Sequence, residues 1–392
     1  MGKRILNHGA DWMNDPIDTQ ALLRLGERVA SYTPRVREIE TFWNDPTLRE
    51  VQYFFAILED PQAPCQQRMG WLPRLDPPVT RQAIMEDMDL SLWAQLVLID
   101  RRMNAGLGDM WTPSLWPLCG NSQCTGAFGC QDMFTDSMQY PWVHPVVDKP
   151  EGVYSLSPDL RKSAVAQRIL RAIDTWRERT HDLIPIRVPD LQGPNTAASQ
   201  VLGAIQSLEM VMTHPDELHR FLQLYTDVTL EWIRQEVAAA GDNVYWGTFH
   251  VRLPYRHMAI AGDSLVLISP DQLREFAVPY YTQLAAESDG FCVHYCGGNT
   301  HLLPVLKEIP GFKGVDSQFS LEQYPVAREI LGPEPVILTL ILDGPPGSTE
   351  VRPEFLRQYL EMIRGDRTII WLRARTVDEA RRLEEMVHTY GR

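Results

Sequence analysis

From about residue 180 onward, short apolar runs alternate with amphipathic helical segments, and no other feature constrains the fold as strongly. Alternation of this kind predicts parallel strands joined by right-handed crossovers. About eight such units predict a closed (β/α)8 barrel, with an open doubly wound sheet as the alternative. The expected strands are DMWTPSL (109–115), LIPIRVPDL (183–191), NVYWGTF (243–249), MAIAGDSLVLIS (258–269), FCVHYC (291–296), GVDSQFS (314–320), VILTLILD (336–343) and TIIWLRA (368–374).

The segments between these runs carry helix boundary signals. Ser269 followed by Pro270 predicts an N-cap with proline in the first turn. Thr376 and Glu379 have capping-box spacing, and Gly391 marks the end of the helix that they open. No GxGxxG motif follows an early strand, which argues against a dinucleotide-binding sheet.

The first part of the chain has a different character. TQALLRLGERVASYTPRVREIETFW has apolar residues at helical spacing, residues 59–80 are rich in proline, and residues 81–105 form a second helical stretch. The sequence therefore predicts a helical N-terminal elaboration over residues 1–105, followed by a barrel over residues 106–392.

Charge and composition limit the classes of partner. The net charge of −14 repels a phosphate backbone, so nucleic acid is not expected as a partner. Polybasic segments and long apolar runs are both missing from the sequence, so no membrane association is expected either. The N-terminus has no secretory h-region, and six cysteines in 392 residues are typical of a reduced, cytoplasmic chain rather than a disulfide scaffold.

Carboxylates follow several of the expected strands, at the ends where barrel enzymes place their chemistry. Each one alone is compatible with helix capping or with loop hydrogen bonding. Their repetition at successive strand ends, beside a His-x-Cys pair, favours a site. The four carboxylates are Asp190, Asp263, Asp316 and Asp343. We expect them to meet around one cavity with His294 and Cys296.

His294 and Cys296 stand two residues apart in FCVHYCGGNTH (291–301), so both side chains point to the same face of a strand. An imidazole and a thiolate about 7 Å apart along the strand are able to converge on one zinc ion. Two ligands do not by themselves make a zinc site. A buried cysteine beside a hydrogen-bonded histidine therefore remains the alternative.

Three segments carry a family resemblance: VPDLQGPNTAASQVLGAIQSLEMVMTHPDELHRFL, DSLVLISPDQLREFAVPYY and VHYCGGNTHLLPVLKEIPGFKGVDSQ. They resemble the uroporphyrinogen decarboxylase superfamily, in which a strand ending H-x-C-G-N precedes a helix and then a strand ending in aspartate. The H-x-C form is similar to the branch of zinc- and corrinoid-linked methyltransferases. The chain has no arginine-rich segment resembling RQAGRY at its N-terminus, which argues against porphyrin decarboxylation.

The resemblance implies an enzyme that moves a methyl group between a small-molecule methyl donor or acceptor and a corrinoid carried by a partner protein. Zinc would be held by His294 and Cys296, acting as a Lewis acid or holding a thiolate. The branch supplies a further cysteine near the last strand, but no cysteine follows Cys296 here. The third ligand is therefore expected to be a carboxylate, Asp343 or Asp263, or a remote cysteine, and a site without metal is the alternative. A set with a carboxylate is harder and favours demethylation of a substrate.

Two other hypotheses remain open. Metal-free decarboxylation or lyase chemistry would use Asp190 or Asp263 as an acid or electrostatic stabiliser, with two late arginines binding a substrate carboxylate. A catalytically silent ligand-binding protein on the same fold is the third hypothesis. Whether the chain forms a homodimer is also open. The expected substrate contacts are Asp316, Trp246, Arg373 and Arg375.

Overall fold

The structure, a computed structural model, describes residues 19–57, 80–134, 141–188, 191–247, 251–343 and 351–391. In this part of the chain the strands are β1 (Val51–Ile57), β2 (Asp132–Met133), β3 (Trp142–Val143), β4 (Ile186–Arg187), β5 (Leu191–Gln192), β6 (Val244–Tyr245), β7 (His257–Ala261), β8 (Gly290–His294), β9 (Phe312–Ser317), β10 (Val336–Leu340) and β11 (Thr368–Ala374). The helices before residue 200 are α1 (Thr19–Ala30), α2 (Thr33–Asn44), α3 (Arg81–Glu86), α4 (Met88–Ala105) and α5 (Ala164–Arg179). Those that begin or end after it are α6 (Pro194–Val201), α7 (Ala204–Thr213), α8 (Pro215–Ala240), α9 (Pro270–Phe276), α10 (Val278–Ala285), α11 (Leu303–Leu306), α12 (Gln323–Leu331), α13 (Pro353–Ile363) and α14 (Val377–Tyr390).

Seven strands form one sheet in the order β1-β11-β10-β9-β8-β7-β5, and all of its pairings are parallel. Residues 110–115 connect this sheet to the pair formed by β4 and β6. The Met110 amide donates to the Tyr53 carbonyl at 2.9 Å on one side, and the Arg187 amide donates to the Leu115 carbonyl at 2.7 Å on the other. The predicted (β/α)8 barrel with a helical N-terminal region is therefore confirmed, and the open sheet is not found.

The structure differs from the sequence prediction in the position of two strands. Residues 51–57, assigned from the sequence to the helical elaboration, form β1 and pair with β11 over seven register positions. The barrel therefore includes a strand that precedes residue 106, although the division of the chain into domains stays a prediction. The expected strand at 243–249 is not in the main sheet, because β6 pairs with β4 separately and Gly247 turns back to pair with Arg252.

The strands are buried on both faces, as parallel strands covered by helices must be. All five residues of β7 and of β10 are buried. The N-terminal helices join the same hydrophobic core, since Leu25 and Phe42 cluster with Phe55 of β1. No helix in the described ranges has the length and apolar character needed to cross a membrane.

The predicted helix starts after β7 and β11 are confirmed. The Ser269 hydroxyl accepts a hydrogen bond from the Gln272 amide, and the Ser269 amide donates to the side-chain oxygen of Gln272, which completes a capping box before α9. Thr376 accepts from the Glu379 amide at the start of α14. These caps fix where each helix leaves its strand end, and so fix the shape of the loops around the barrel mouth.

Candidate metal centre at the carboxyl ends of the strands

Strand register brings the central residues of the site together. His294 ends β8, and its register partners are Ala261 of β7 and Asp316 of β9. The Gly262 amide then donates to the His294 carbonyl at 2.7 Å, which brings Asp263, the next residue, beside the histidine. The parallel pairing therefore places three predicted site residues from consecutive strands at one end of the barrel.

The side chains converge on the Nε2 edge of the imidazole. Nε2 of His294 lies 3.6 Å from the Cys296 sulfur and 3.8 Å from Oδ1 of Asp263. One ligand atom from each of these three residues lies within 4.8 Å of the others, and no other such set of three or more occurs among the described residues. The Asp263 side chain is 44% exposed and Cys296 is exposed, so this group opens to solvent.

The opposite edge of the imidazole faces a buried carboxylate. Nδ1 of His294 lies 3.1 Å from Oδ2 of Asp316, whose side chain is 4% exposed. Burial would lower the pKa of His294, but the charge and hydrogen bond of Asp316, with smaller contributions from Cys296 and Asp263, hold that pKa well above its ordinary value. With Nδ1 facing Asp316, Nε2 is the ring atom that would give up its proton to bind a metal ion.

A glycine turn fixes the position of Cys296. The Cys296 amide donates to Oδ1 of Asp263 at 2.9 Å, and the Gly297 amide donates to the Gln318 side-chain carbonyl at 2.5 Å. Gly298 has a φ of +64° and its amide donates to the Ser317 hydroxyl at 3.1 Å. Each amide of the turn is therefore held by a neighbouring strand end, and the thiol is directed back at His294.

These residues fit a zinc ion. Zinc accepts cysteine, histidine and aspartate ligands, and catalytic sites use three protein ligands with one open position. Histidines that bind such a metal usually direct their other ring nitrogen at a carboxylate, which fixes the orientation of the ring. The contact of His294 with Asp316 supplies this arrangement, and the exposed side of Asp263 and Cys296 supplies the open position.

Asp343, predicted as the third metal ligand, is not part of this group. Its carboxylate accepts from Arg352 at 2.7 Å (Nη2 to Oδ1) and 2.9 Å (Nε to Oδ2), and also from the Arg352 amide at 2.8 Å. Hydrogen bonds from Arg352 lower the pKa of Asp343 below its ordinary value. A carboxylate already saturated by an arginine is a poor candidate for a metal, whereas Asp263, the other residue considered for this position, lies with His294 and Cys296.

The remaining predicted residues have separate environments. Asp190 lies outside the described residues. Trp246 is buried and meets the Tyr255 ring edge-on at 6.4 Å. The Arg373 guanidinium stacks 5.6 Å from the Trp371 ring centroid, and the Arg375 amide donates to Glu379 at 2.7 Å. Their roles in substrate binding stay predictions, whereas Asp316 contacts His294 directly.

Gln318 belongs to the site but was not predicted. Its Nε2 lies 3.9 Å from the Cys296 sulfur while its carbonyl oxygen accepts from Gly297. The sequence held one signal for it, because Gln318 follows Asp316 by two residues, the same spacing that relates Cys296 to His294.

Comparisons with known proteins agree with this architecture. Residues 124–332, more than half of the chain, match the family described as uroporphyrinogen decarboxylase (URO-D). A solved methyltransferase from Methanosarcina mazei has a similar fold, with a TM-score of 0.60 and 18% sequence identity over 90% of this chain and 98% of that one. No curated protein sequence matches this chain.

Proposed function

Because the chain belongs to the uroporphyrinogen decarboxylase family, we propose that it is a methyltransferase that exchanges a methyl group between a small-molecule substrate and a corrinoid protein. The observation that carries the proposal is the convergence of Asp263, His294 and Cys296, with Asp316 behind the histidine. Decarboxylation alone needs no thiol beside an imidazole, whereas metal-assisted methyl transfer uses both.

Zinc, when bound, would polarise the group that carries or accepts the methyl. The residues that would hold it are Asp263, His294 and Cys296. Asp316 keeps the proton on Nδ1 of His294, so that Nε2 acts as a ligand atom. The Cys296 amide donates to Oδ1 of Asp263, the oxygen 3.8 Å from Nε2 of His294, and so holds this carboxylate beside the other two ligand atoms. A set with one thiolate and one carboxylate favours removal of a methyl group from a substrate over methylation of a thiol.

Metal content and methyl transfer in one Cys296 variant test this proposal. Protein purified without chelator is expected to carry about one zinc ion per chain. Cys296→Ser should lose most of the zinc and the transfer between methylcobalamin and a panel of small thiols, alcohols and amines, followed by the visible spectrum of the corrinoid. Cys292→Ala is the matched control, since this buried thiol lies two residues before His294 on β8 but outside the three-residue group.

Full activity of Cys296→Ser, or of wild-type protein that has been stripped of metal and reloaded with none, would overturn the proposal. Metal-free decarboxylation of a carboxylated molecule would then be the better hypothesis, with Asp263 as the acid or electrostatic group. Release of carbon dioxide in the absence of a corrinoid would identify that reaction.

A further inference from the structure

Arg187 is a buried arginine placed between two aromatic side chains. Leu115 pairs with Ile186 across one strand boundary, and Arg187 pairs with Tyr245 across the other. The guanidinium carbon lies 4.5 Å from the ring centroid of Trp116 and 5.8 Å from that of Tyr245. Four residues after Arg187, Leu191 of β5 pairs with Ile260 of β7, next to Ala261, the register partner of His294.

Two hydrogen-bond donors of Arg187 are unmatched within the described part of the chain. The residue is only 7% exposed, yet its Nε and Nη2 have no acceptor among the described residues. Ring stacking offsets part of the cost of a buried charge but supplies no acceptor for these N–H groups. A buried cation with no counter-ion among the described residues is unusual in a chain with 51 acidic and 37 basic residues, where a carboxylate partner would be easy to supply.

A second arginine approaches the same ring. The guanidinium carbon of Arg252 lies 4.9 Å from the Tyr245 centroid, and its buried Nε also has no acceptor in the described part of the chain. The contact depends on the reversal of the chain at Gly247, which pairs with Arg252. A Cβ at Gly247 would lie 2.6 Å from Cε1 of Tyr245, so only glycine lets the ring and the hairpin meet here.

The positions of the two unmatched donors of Arg187 indicate which kind of anion would bind them. Nε and Nη2 lie along one edge of a guanidinium, and their parallel N–H bonds match the two oxygens of a carboxylate. The chain uses the same edge elsewhere, since Nε and Nη2 of Arg177 each lie 3.0 Å from one oxygen of Asp182. At Arg187 that edge has no carboxylate from the described residues.

We propose that Arg187 and Arg252 bind a carboxylate group of the small-molecule substrate, with Trp116 and Tyr245 stacked against the guanidinium groups. The identification of the ligand as a substrate rests on the proposed function, but binding of the carboxylate itself needs neither metal nor corrinoid. The proposal assigns the carboxylate to Arg187 of β4 and to Arg252, rather than to Arg373 and Arg375.

The test measures binding of benzoate and of its neutral isostere benzamide to the full chain in the presence of a chelator, by calorimetry and by the shift in melting temperature. Benzoate should bind saturably and benzamide should not. Arg187→Gln should weaken benzoate binding about tenfold or more, since two charge-assisted hydrogen bonds are lost. Arg187→Lys should bind with intermediate affinity, and Arg252→Gln should weaken binding to a smaller extent.

Arg161→Gln is the control, because Arg161 pairs with Asp159 in the same edge-on geometry but has an 87% exposed side chain. The proposal would be overturned if benzoate and benzamide bound equally, or if benzoate showed no saturable binding. It would also be overturned if Arg187→Lys and Arg187→Gln both folded and bound benzoate with full affinity. Carboxylate binding without methyl transfer would instead count against the proposed function alone, and methyl transfer with indifference to the carboxylate would count against this inference alone.

Discussion

Nδ1 of His294 lies 3.1 Å from Oδ2 of Asp316, and the two residues are direct register partners on adjacent parallel strands. The contact is therefore set by the hydrogen-bond ladder of the barrel rather than by a loop. Because Asp316 is buried, its charge acts on the imidazole with little screening by water. The pair orients the other ring nitrogen toward the Cys296 thiol, 3.6 Å away.

Replacing Asp316 with asparagine should weaken zinc binding about 10- to 100-fold, the usual effect of removing a carboxylate behind a ligating histidine. The fold should persist, because asparagine has the same shape. Competition with a chromophoric chelator measures the affinity, and circular dichroism checks the fold. Asp289→Asn, at an exposed acid 3.8 Å from Arg256, should leave zinc affinity unchanged. Equal affinity in both variants would show that Asp316 does not orient the ligand.

Asparagine variants of Asp263 and Asp343 should separate the two carboxylates considered for the third ligand. Asp263→Asn should lower zinc content, because it removes one of the three converging ligand atoms. Asp343→Asn should keep the zinc but lose stability, because Asp343 accepts hydrogen bonds from Arg352 instead. Metal analysis and urea denaturation of the two proteins give the comparison. Loss of zinc in Asp343→Asn alone would reverse the assignment.

The Asp343 variant should also change the response to acid. Hydrogen bonds from Arg352 lower the folded-state pKa of Asp343 below its ordinary value of 3.8. The stabilisation is therefore fully present above that value and is lost as the pH falls through the lowered pKa. Wild-type protein should lose stability in strong acid more steeply than Asp343→Asn, as measured by urea midpoints over the acidic range.

The barrel was predictable because strands that are buried on both faces appear in the sequence as short apolar runs. VILTL, all of whose residues are buried in β10, is such a run. The failures concern pairing partners. VQYFFAI has strong strand propensity, but its place beside β11 depends on contacts across more than three hundred residues. Similarly, VYW at 244–246 is extended, yet the chain turns back at Gly247 instead of continuing along the sheet.

Half of the candidate site followed from local spacing, since His294 and Cys296 share a strand face at i and i+2. The choice between Asp263 and Asp343 did not follow, because both stand after strands in similar surroundings of the sequence. Only the fold shows that Arg352 forms an ion pair with Asp343. Buried arginines such as Arg187 were also missed, since a single arginine in an apolar run gives no sign of whether an acid will reach it.

Gly298→Ala should disrupt the turn that carries Cys296. A Cβ at this position would lie 2.0 Å from the Gln318 carbonyl oxygen, in addition to the strain of alanine at a φ of +64°. Gly311→Ala is the matched control, because its φ is +79° but no atom lies within 4 Å of the added Cβ. Gly311→Ala should cost about 1–3 kcal/mol from backbone strain alone.

The expected difference between the two variants is greater destabilisation of Gly298→Ala, together with loss of zinc from that variant alone. Urea denaturation and metal analysis of both proteins provide the measurements. Similar losses of stability with zinc retained in both would mean that the strand end moves to accept the methyl group, and that the turn does not hold the thiol in place.

Glu236 of α8 is a buried acid that does not belong to the candidate metal centre. It is fully buried, and neither carboxylate oxygen has a hydrogen-bond partner in the described part of the chain. Burial raises the pKa of Glu236 well above its ordinary value of 4.5. The folded protein therefore keeps this carboxyl protonated at pH values where the unfolded chain has already ionised it.

Stability should consequently fall as the pH rises from 4.5 toward the raised pKa of Glu236, by roughly 1.4 kcal/mol per pH unit within that window. Glu236→Gln cannot ionise and keeps nearly the same shape, so its stability should change less over the same range and exceed that of wild type near neutral pH. Glu231→Gln, at an exposed position of the same helix, should follow the wild type. Urea midpoints from mildly acidic to alkaline pH measure all three. Parallel curves for Glu236→Gln and wild type would show that the carboxyl reaches water or a cation in the folded protein, because a neutral buried acid requires the curves to diverge as the pH increases.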